Sequence, residues 1–305
     1  MDIHNCKMCP RFCGADRTSN NLGFCGLDSH VHIADICVHK GEEPVLGGEK
    51  GVINVFFSGC NLRCVYCQNY QISQQKLSKK EITSCTQAAT IIANYMCKEG
   101  INTVGFVSPS HQVFQMRTII DLLHKRGFKP TVIYNTNAYD DVETLREISD
   151  YVDIYLPDYK YSDVELSEKL SSAPLYPEKA LAAIKEMYYQ KGSRLVLNDD
   201  GIAESGLIIR HLVLPNHVEN SVNALKTIAY EISPNIHLSL MAQYYPEFKA
   251  LEMPELNRNI TATEYEKVCE AAEELGLFKG WFQQLKSNEN YRPDFDKDGN
   301  PFEGK

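Results

Sequence analysis

The chain has 305 residues, of which 43% are hydrophobic, a formal net charge of -9 and a pI near 5.5. That is enough apolar material for a sizeable core in one large domain or two small ones, while the acidic balance and the lack of a long Lys/Arg run exclude the broad basic surface that a nucleic acid needs. No apolar stretch nears the roughly 20 residues that span a bilayer, and the start Met1-Asp-Ile-His-Asn-Cys6 has no apolar signal core, so no membrane contact and a cytoplasmic location are expected.

Eleven cysteines, an odd number, argue for metal ligation plus buried thiols rather than a disulfide framework. Cys6, Cys9, Cys13 and Cys25 come first, with Pro10, Gly14 and Gly26 as turn residues. Four thiols so spaced suit a small zinc or iron–sulfur knuckle, structural or electron-relaying, and the spacing does not name the metal; unligated cysteines are the alternative. Cys37, near His30, His32 and His39, is open to either reading. This cysteine-rich extension is expected to cover residues 1–50.

The apolar run Val52-Ile-Asn-Val-Phe-Phe57 predicts a strand leading straight into Ser58-Gly-Cys-Asn-Leu-Arg-Cys-Val-Tyr-Cys-Gln-Asn69. Further strands are predicted at Thr103 to Val107, Thr131 to Tyr134, Val152 to Leu156, Leu207 to Leu214 and Ile236 to Leu240. Helical periodicity lies between them, in the sets Ala88/Ile91/Ile92/Tyr95, Val113/Met116/Ile120/Leu123, Val142/Leu145/Ile148, Leu181/Ile184/Tyr188 and Leu225/Ile228/Ala229/Ile232. Strands and helices in alternation imply parallel strands with right-handed crossovers, here an α/β fold with a partial (β/α)6 barrel over 51–285.

Polar residues follow each predicted strand: the cysteine loop, Ser108-Pro-Ser-His111, Asn135-Thr-Asn137, Asp158-Tyr-Lys160, Asn216-His217 and Gln243-Tyr-Tyr245. In parallel barrels that rim carries the site, and although any one polar loop is as well explained by exposure, six in a row favour function. Arg194 to Leu214 reads as a hairpin turning at Asp200-Gly201. Asp294-Phe-Asp-Lys-Asp-Gly299 imitates the opening of a calcium loop, but its twelfth position is Lys305 rather than Glu, and 286–305 reads as a polar tail. Cys85, Cys97 and Cys269 fall on helices and are expected in the core.

Cys60, Cys64 and Cys67 form a CxxxCxxC. Three thiolates so close can bind three irons of a [4Fe–4S] cube and leave the fourth open, whereas a structural zinc site wants a fourth ligand that does not follow at short range. With its strand before it and Tyr66 ahead of the last cysteine, the stretch resembles the radical S-adenosylmethionine (SAM) superfamily. That resemblance implies a [4Fe–4S] cluster and S-adenosyl-L-methionine as cofactors. The SAM amino and carboxylate groups would chelate the open iron, and one electron would split the sulfonium to a 5'-deoxyadenosyl radical, with Cys60, Cys64 and Cys67 as catalytic cluster ligands and Tyr66 and Asn69 beside the cofactor.

From about Val52 to Pro246 the likeness narrows to pyruvate formate-lyase activating enzyme and its less characterised relatives, the Cys6-Lys-Met-Cys-Pro-Arg-Phe-Cys-Gly14 start included. Those enzymes hold the SAM amino group with Gly-Gly-Glu after the second strand. Here Val107-Ser-Pro-Ser-His111 stands in its place, which leaves Ser108 and backbone carbonyls to receive the ammonium, and His111 as either a ligand contact or a helix-start residue. The family's Asp-Thr and Asp-Leu-Lys become Asn135-Thr136 and Asp158-Tyr-Lys160, one carboxylate short of the family's cation site. Asp158 would hold Lys160 or the SAM ribose, with a plain rim salt bridge as the bland alternative. Arg210 and His211 interrupt an aliphatic strand, so one of them should face the lumen; the resemblance gives Arg210 the SAM carboxylate, and Gln243 and Tyr244 the adenine or ribose. Its implied partners are SAM, a reductant such as flavodoxin or ferredoxin, and a glycyl-radical protein. A radical enzyme acting on a small molecule or peptide, and a non-catalytic iron–sulfur or zinc scaffold, are the competing functions.

Overall fold

The computed structural model describes residues 2–19, 22–74, 81–285 and 292–303. Strand β1 (Ile33–His39) is followed by the short helix α1 (Pro44–Gly47), β2 (Val52–Phe57), α2 (Tyr70–Ser73), α3 (Cys85–Glu99), β3 (Thr103–Val107), α4 (Val113–Lys125), β4 (Thr131–Thr136), α5 (Val142–Glu147) and β5 (Ile154–Pro157). Then come α6 (Val164–Ser171), α7 (Tyr176–Lys191), β6 (Val196–Leu197), β7 (Ala203–Leu212), α8 (Val218–Glu231), β8 (His237–Met241), α9 (Ala262–Glu274) and β9 (Gly280–Phe282).

Neighbouring strands run in the order β1-β2-β3-β4-β5-β7-β8-β9. Along that order every pair from β2 to β9 is parallel, while β1 lies antiparallel along β2 and β6 antiparallel along β7. Among the described residues β1 and β9 do not pair, so the barrel is open, as the partial (β/α)6 expectation has it. Parallel strands need helical crossovers, and these pack apolar stripes such as Ile92/Met96, Met116/Ile120 and Leu225/Ile228 on the outer face of the sheet. Each fully buried aliphatic side chain contributes about 1.5–3 kcal/mol. Helix boundaries follow local chemistry: Ser84, Asp141, Asp163 and Thr261 accept first-turn amide protons, and Gly100 ends α3 in the left-handed region at φ 63°.

Inside the sheet the N-terminal end of the barrel is plugged by Leu46 of α1, packed with Val52, Ile133, Ile154, Leu156 and Ile208. Residues 33–51 pack with the barrel: β1 supplies an edge strand and α1 a plug. The hairpin turns where Asp200-Gly201 predicts it, Asn198 N–H donating to the Ile202 carbonyl and Gly201 taking φ 76°.

The C-terminal stretch differs from a free polar tail. Phe295 and Phe302 pack against Phe56, Phe302 also lies 4.2 Å from the His39 ring, and Asn300 donates to the Val38 carbonyl. Asp294 and Asp296 accept from the Gln71 amide. Lys305 and 286–291 lie outside the described residues. Of the helical cysteines, Cys85 and Cys269 are half-buried against the core, but Cys97 is exposed, because its position falls on the outer side of α3. Cys37 is buried against Phe56 and Ile72.

Candidate active site

The segment after β2 doubles back on itself. Gly59 sits at φ 72°, and a Cβ there would meet the Cys25 carbonyl oxygen at 3.1 Å, so glycine is what lets the cysteine loop lie against the N-terminal segment. The loop is tied down by its own arginine and by one from that segment. Arg63 donates to the Cys60, Leu62 and Phe24 carbonyls, Arg11 to those of Asn61 and Ser172, and both guanidiniums stack on the Phe24 ring.

Cys60, Cys64 and Cys67 line one cavity of about 230 Å3 at the C-terminal ends of the strands. Tyr66, Asn69, Ser108, Asn135, Thr136, Asp158, Lys160, Arg210 and Gln243 line it too, so twelve of the fourteen residues expected around the cofactors by sequence meet in one place. His111 and Tyr244 do not. His111 lies apart. It is 2% exposed, with Nε2 on the Ser58 carbonyl, behind the loop rather than on the cavity; burial pushes its pKa down to about 4, so it is a neutral packing residue. Tyr244 also points away, its hydroxyl donating to the Leu256 carbonyl.

Asp158 accepts from Lys160 Nζ and from Arg210 Nε, each at 2.7 Å, and Arg210 Nη2 donates to Asn135 Oδ1 at 2.6 Å. Burial would push the Asp158 carboxyl up, but the two cations outweigh it and hold the group below its usual value. Of the ionisable pair on β7, Arg210 faces the lumen, whereas His211 is buried between the Tyr159 carbonyl and Ser221 Oγ.

The superfamily model "Radical SAM superfamily" matches residues 54–188. Uncharacterized protein MJ0674 of Methanocaldococcus jannaschii is 32% identical over 279 residues, which cover 90% of this chain and 75% of that protein. The chain belongs to the radical SAM superfamily. The solved structure of native anSMEcpe with bound AdoMet shares the fold, with a TM-score of 0.50 at 13% identity over 74% of this chain and 61% of that one. The chain therefore spans less than two thirds of that protein.

Radical SAM membership brings a [4Fe–4S] cluster and SAM as cofactors, and the donor chemistry of the loop fits them. Cys60 Sγ accepts from the Leu62 amide at 3.3 Å and the Asn137 side-chain amide at 3.5 Å, Cys64 Sγ accepts from Ser171 Oγ at 3.0 Å, and Cys67 Sγ lies 3.2 Å from Ser73 Oγ. Hydrogen-bond donors aimed at sulfur stabilise thiolates and tune a cluster. Burial pushes the metal-free thiols up, Cys60 to about 11 and Cys67 to about 12, so iron would have to displace their protons. Among the described residues no three His, Cys, Asp or Glu side chains already stand at metal-ligating spacing, either here or at Cys6, Cys9, Cys13 and Cys25. No helix among them is long and apolar enough to cross a membrane.

Sequence reasoning missed the lumen residues contributed from before β2. His39, Glu42 and Glu43 line the cavity, as do Asn137, Met241, Gln283, Pro293 and Phe302. Glu42 accepts from Asn54 Nδ2 at 2.8 Å and meets His39 Nδ1 at 3.2 Å and Arg210 Nη1 at 3.5 Å. Burial alone would raise its pKa, yet these partners hold it at about 2. One signal was available: Gly105 interrupts the aliphatic β3, and a Cβ there would meet Asn54 Oδ1 at 2.3 Å.

Proposed function

We propose that this chain uses the radical-generating chemistry of its superfamily to abstract a hydrogen atom from a substrate held in the lumen, the SAM being anchored by the rim residues. The bound cluster supplies the electron that cleaves SAM to a 5'-deoxyadenosyl radical. What the chain itself does is hold and shield. Asp158, locked by Lys160, positions Arg210 for a carboxylate; Ser108, Asn135, Thr136 and Gln243 offer polar contacts; and Phe56, Phe302 and Pro293 supply apolar wall. The carrying observation is that the three thiols and the Asp158/Lys160/Arg210 set face one cavity.

Activation of a glycyl-radical protein is the substrate reading favoured by the likeness to activating enzymes; it requires a partner loop to reach the lumen. Modification of a small molecule or peptide is favoured by the buried acidic groups in the lumen. A flavodoxin or ferredoxin would serve as the reductant in the cytoplasm. The N-terminal Cys6, Cys9, Cys13 and Cys25 are proposed to hold an auxiliary zinc or iron–sulfur centre, supported by the turns that return Cys6 and Gly14 to each other through a 3.0 Å backbone hydrogen bond.

Anaerobic reconstitution followed by a 5'-deoxyadenosine assay tests the central reading, and a protein that binds iron but never releases 5'-deoxyadenosine refutes it. A glycyl EPR doublet on candidate partners separates the two substrate readings. Metal analysis of a Cys60/Cys64/Cys67 triple alanine variant tests the auxiliary centre, which falls if neither zinc nor iron is retained.

A further inference from the structure

The lumen below the cysteine loop holds three carboxylates, Glu42, Glu43 and Asp158, against two permanent cations, Lys160 and Arg210. Asp158 is satisfied by both cations, and Glu42 by Asn54, His39 and the far edge of Arg210. The least satisfied group is Glu43. It is 8% exposed, and its Oε2 has no hydrogen-bond partner among the described residues. It precedes α1 but caps none of that helix's amides, so helix capping does not explain it. Burial pushes its pKa up; the Arg210 charge and Ser239 pull the other way without reversing it, and the Glu42 charge reinforces the rise, as expected for a buried carboxyl whose nearest cation is already shared with Asp158 and Glu42. A buried carboxyl oxygen left unpaired costs on the order of 1–3 kcal/mol. An apolar residue would relieve that cost, which makes the oxygen a candidate for an incoming partner.

Position says which partner. β1 ends at His39 opposite Val52, the first residue of β2, whereas the cysteine loop follows Phe57, the last. Glu43 therefore enters the cavity from the end of the barrel opposite the sulfurs, and its carboxyl faces the Arg210 side of the lumen. A molecule between them would present one end to the radical-generating side and the other to Glu43.

We propose that Glu43 recognises a protonated amine or guanidinium on the substrate of this enzyme, so that the substrate class is cationic: an amine, or a peptide bearing Lys or Arg. This rests on the hydrogen-abstraction reading above. The incoming cation balances the surplus carboxylate and occupies the unpaired oxygen, which a neutral or anionic group of the same shape cannot do.

The test uses the full chain, anaerobically reconstituted and loaded with SAM, titrated calorimetrically with n-butylammonium, n-butylguanidinium, butyramide and butyrate. The cations should bind saturably and the other two should not, and Glu43→Gln should weaken cation binding about tenfold. The proposal is overturned if all four probes bind alike, if Glu43→Gln binds the cations as the parent does, or if it weakens SAM as much as it weakens the cations, since the carboxylate would then belong to the cofactor. If Glu43→Gln unfolds at a lower temperature than the parent, Glu43→Asp, which keeps the charge and withdraws it, should give an intermediate loss; full parental affinity for that variant also overturns the idea. A 5'-deoxyadenosine assay on the same samples reports separately on the underlying reading.

Discussion

Asp158 and Arg210 are joined twice: their main chains form a parallel bridge beyond the paired part of β5 and β7, and the carboxylate accepts the Arg210 Nε proton at 2.7 Å. The second link depends on the first, because the bridge sets both side chains on the lumen side at one level. Lys160, two residues on, completes a set in which one carboxylate neutralises two cations.

Asp158→Ala would leave Lys160 unmatched and Arg210 with only the more distant Glu42, in side chains just 14–15% exposed, so a loss of about 3 kcal/mol is expected in urea denaturation at neutral pH. Burial raises the Asp158 pKa, but Arg210 and Lys160 pull it down further, and the net value is depressed. Its stabilisation is therefore complete above the unfolded value of about 4 and fades as pH falls through the folded value. A parent-minus-variant difference that grew on acidification would contradict the assignment.

His32 lies between Asp28 Oδ1 at 2.8 Å and Glu81 Oε2 at 2.9 Å. Burial lowers its pKa, the two carboxylates more than reverse that, and Asp28 is held at about 2. A raised histidine stabilises fully below its unfolded value and loses the contribution as pH rises through the folded one. His32→Gln should cost about 1–2 kcal/mol at pH 6 and much less at pH 9, read as unfolding midpoints; equal costs at both would exclude a charged His32.

Ser171 Oγ donates to Cys64 Sγ at 3.0 Å and so must accept from Tyr161, whose hydroxyl lies 2.6 Å away and in turn accepts from Tyr66 at 2.6 Å. The chain is polarised toward sulfur, which favours the more electron-rich state of a cluster ligated there. Ser171→Ala should lower the midpoint potential in an EPR-monitored redox titration, and an unshifted potential would show that the hydroxyl leaves the cluster untuned.

Gly105→Ala drives a Cβ to 2.3 Å from Asn54 Oδ1, on a side chain that is 1% exposed and holds Glu42. With no room for Asn54 to yield, a loss of about 1–3 kcal/mol is expected in thermal or chemical unfolding. A variant as stable as the parent would mean that the lumen relaxes around that position.

Six of the seven parallel strands were legible because buried β-branched runs alternate with helical periodicity, and the site was legible because each run stops at polar residues; β9, only three residues long, was not. What escaped notice shared one cause: period and polarity say which residues leave the core, not which return to it. Glu42-Glu43-Pro44 has the composition of an exposed turn, and only the antiparallel return of β1 turns it inward. The closing Asp294 to Phe302 stretch looks polar, and its two phenylalanines, too few for a pattern, fix its path over Phe56. His111 shows the opposite limit: polarity at a rim position leaves ligand contact and helix start equally open, and only the fold turns its ring back under Ser58.

Because β1 and α1 close the lower end, a piece of the chain starting at residue 51 would be a pipe rather than a cup. It would keep every sulfur of the cysteine loop and yet lose an edge strand, the stopper at Leu46 and both glutamates, so catalysis measured on it would describe a differently shaped vessel.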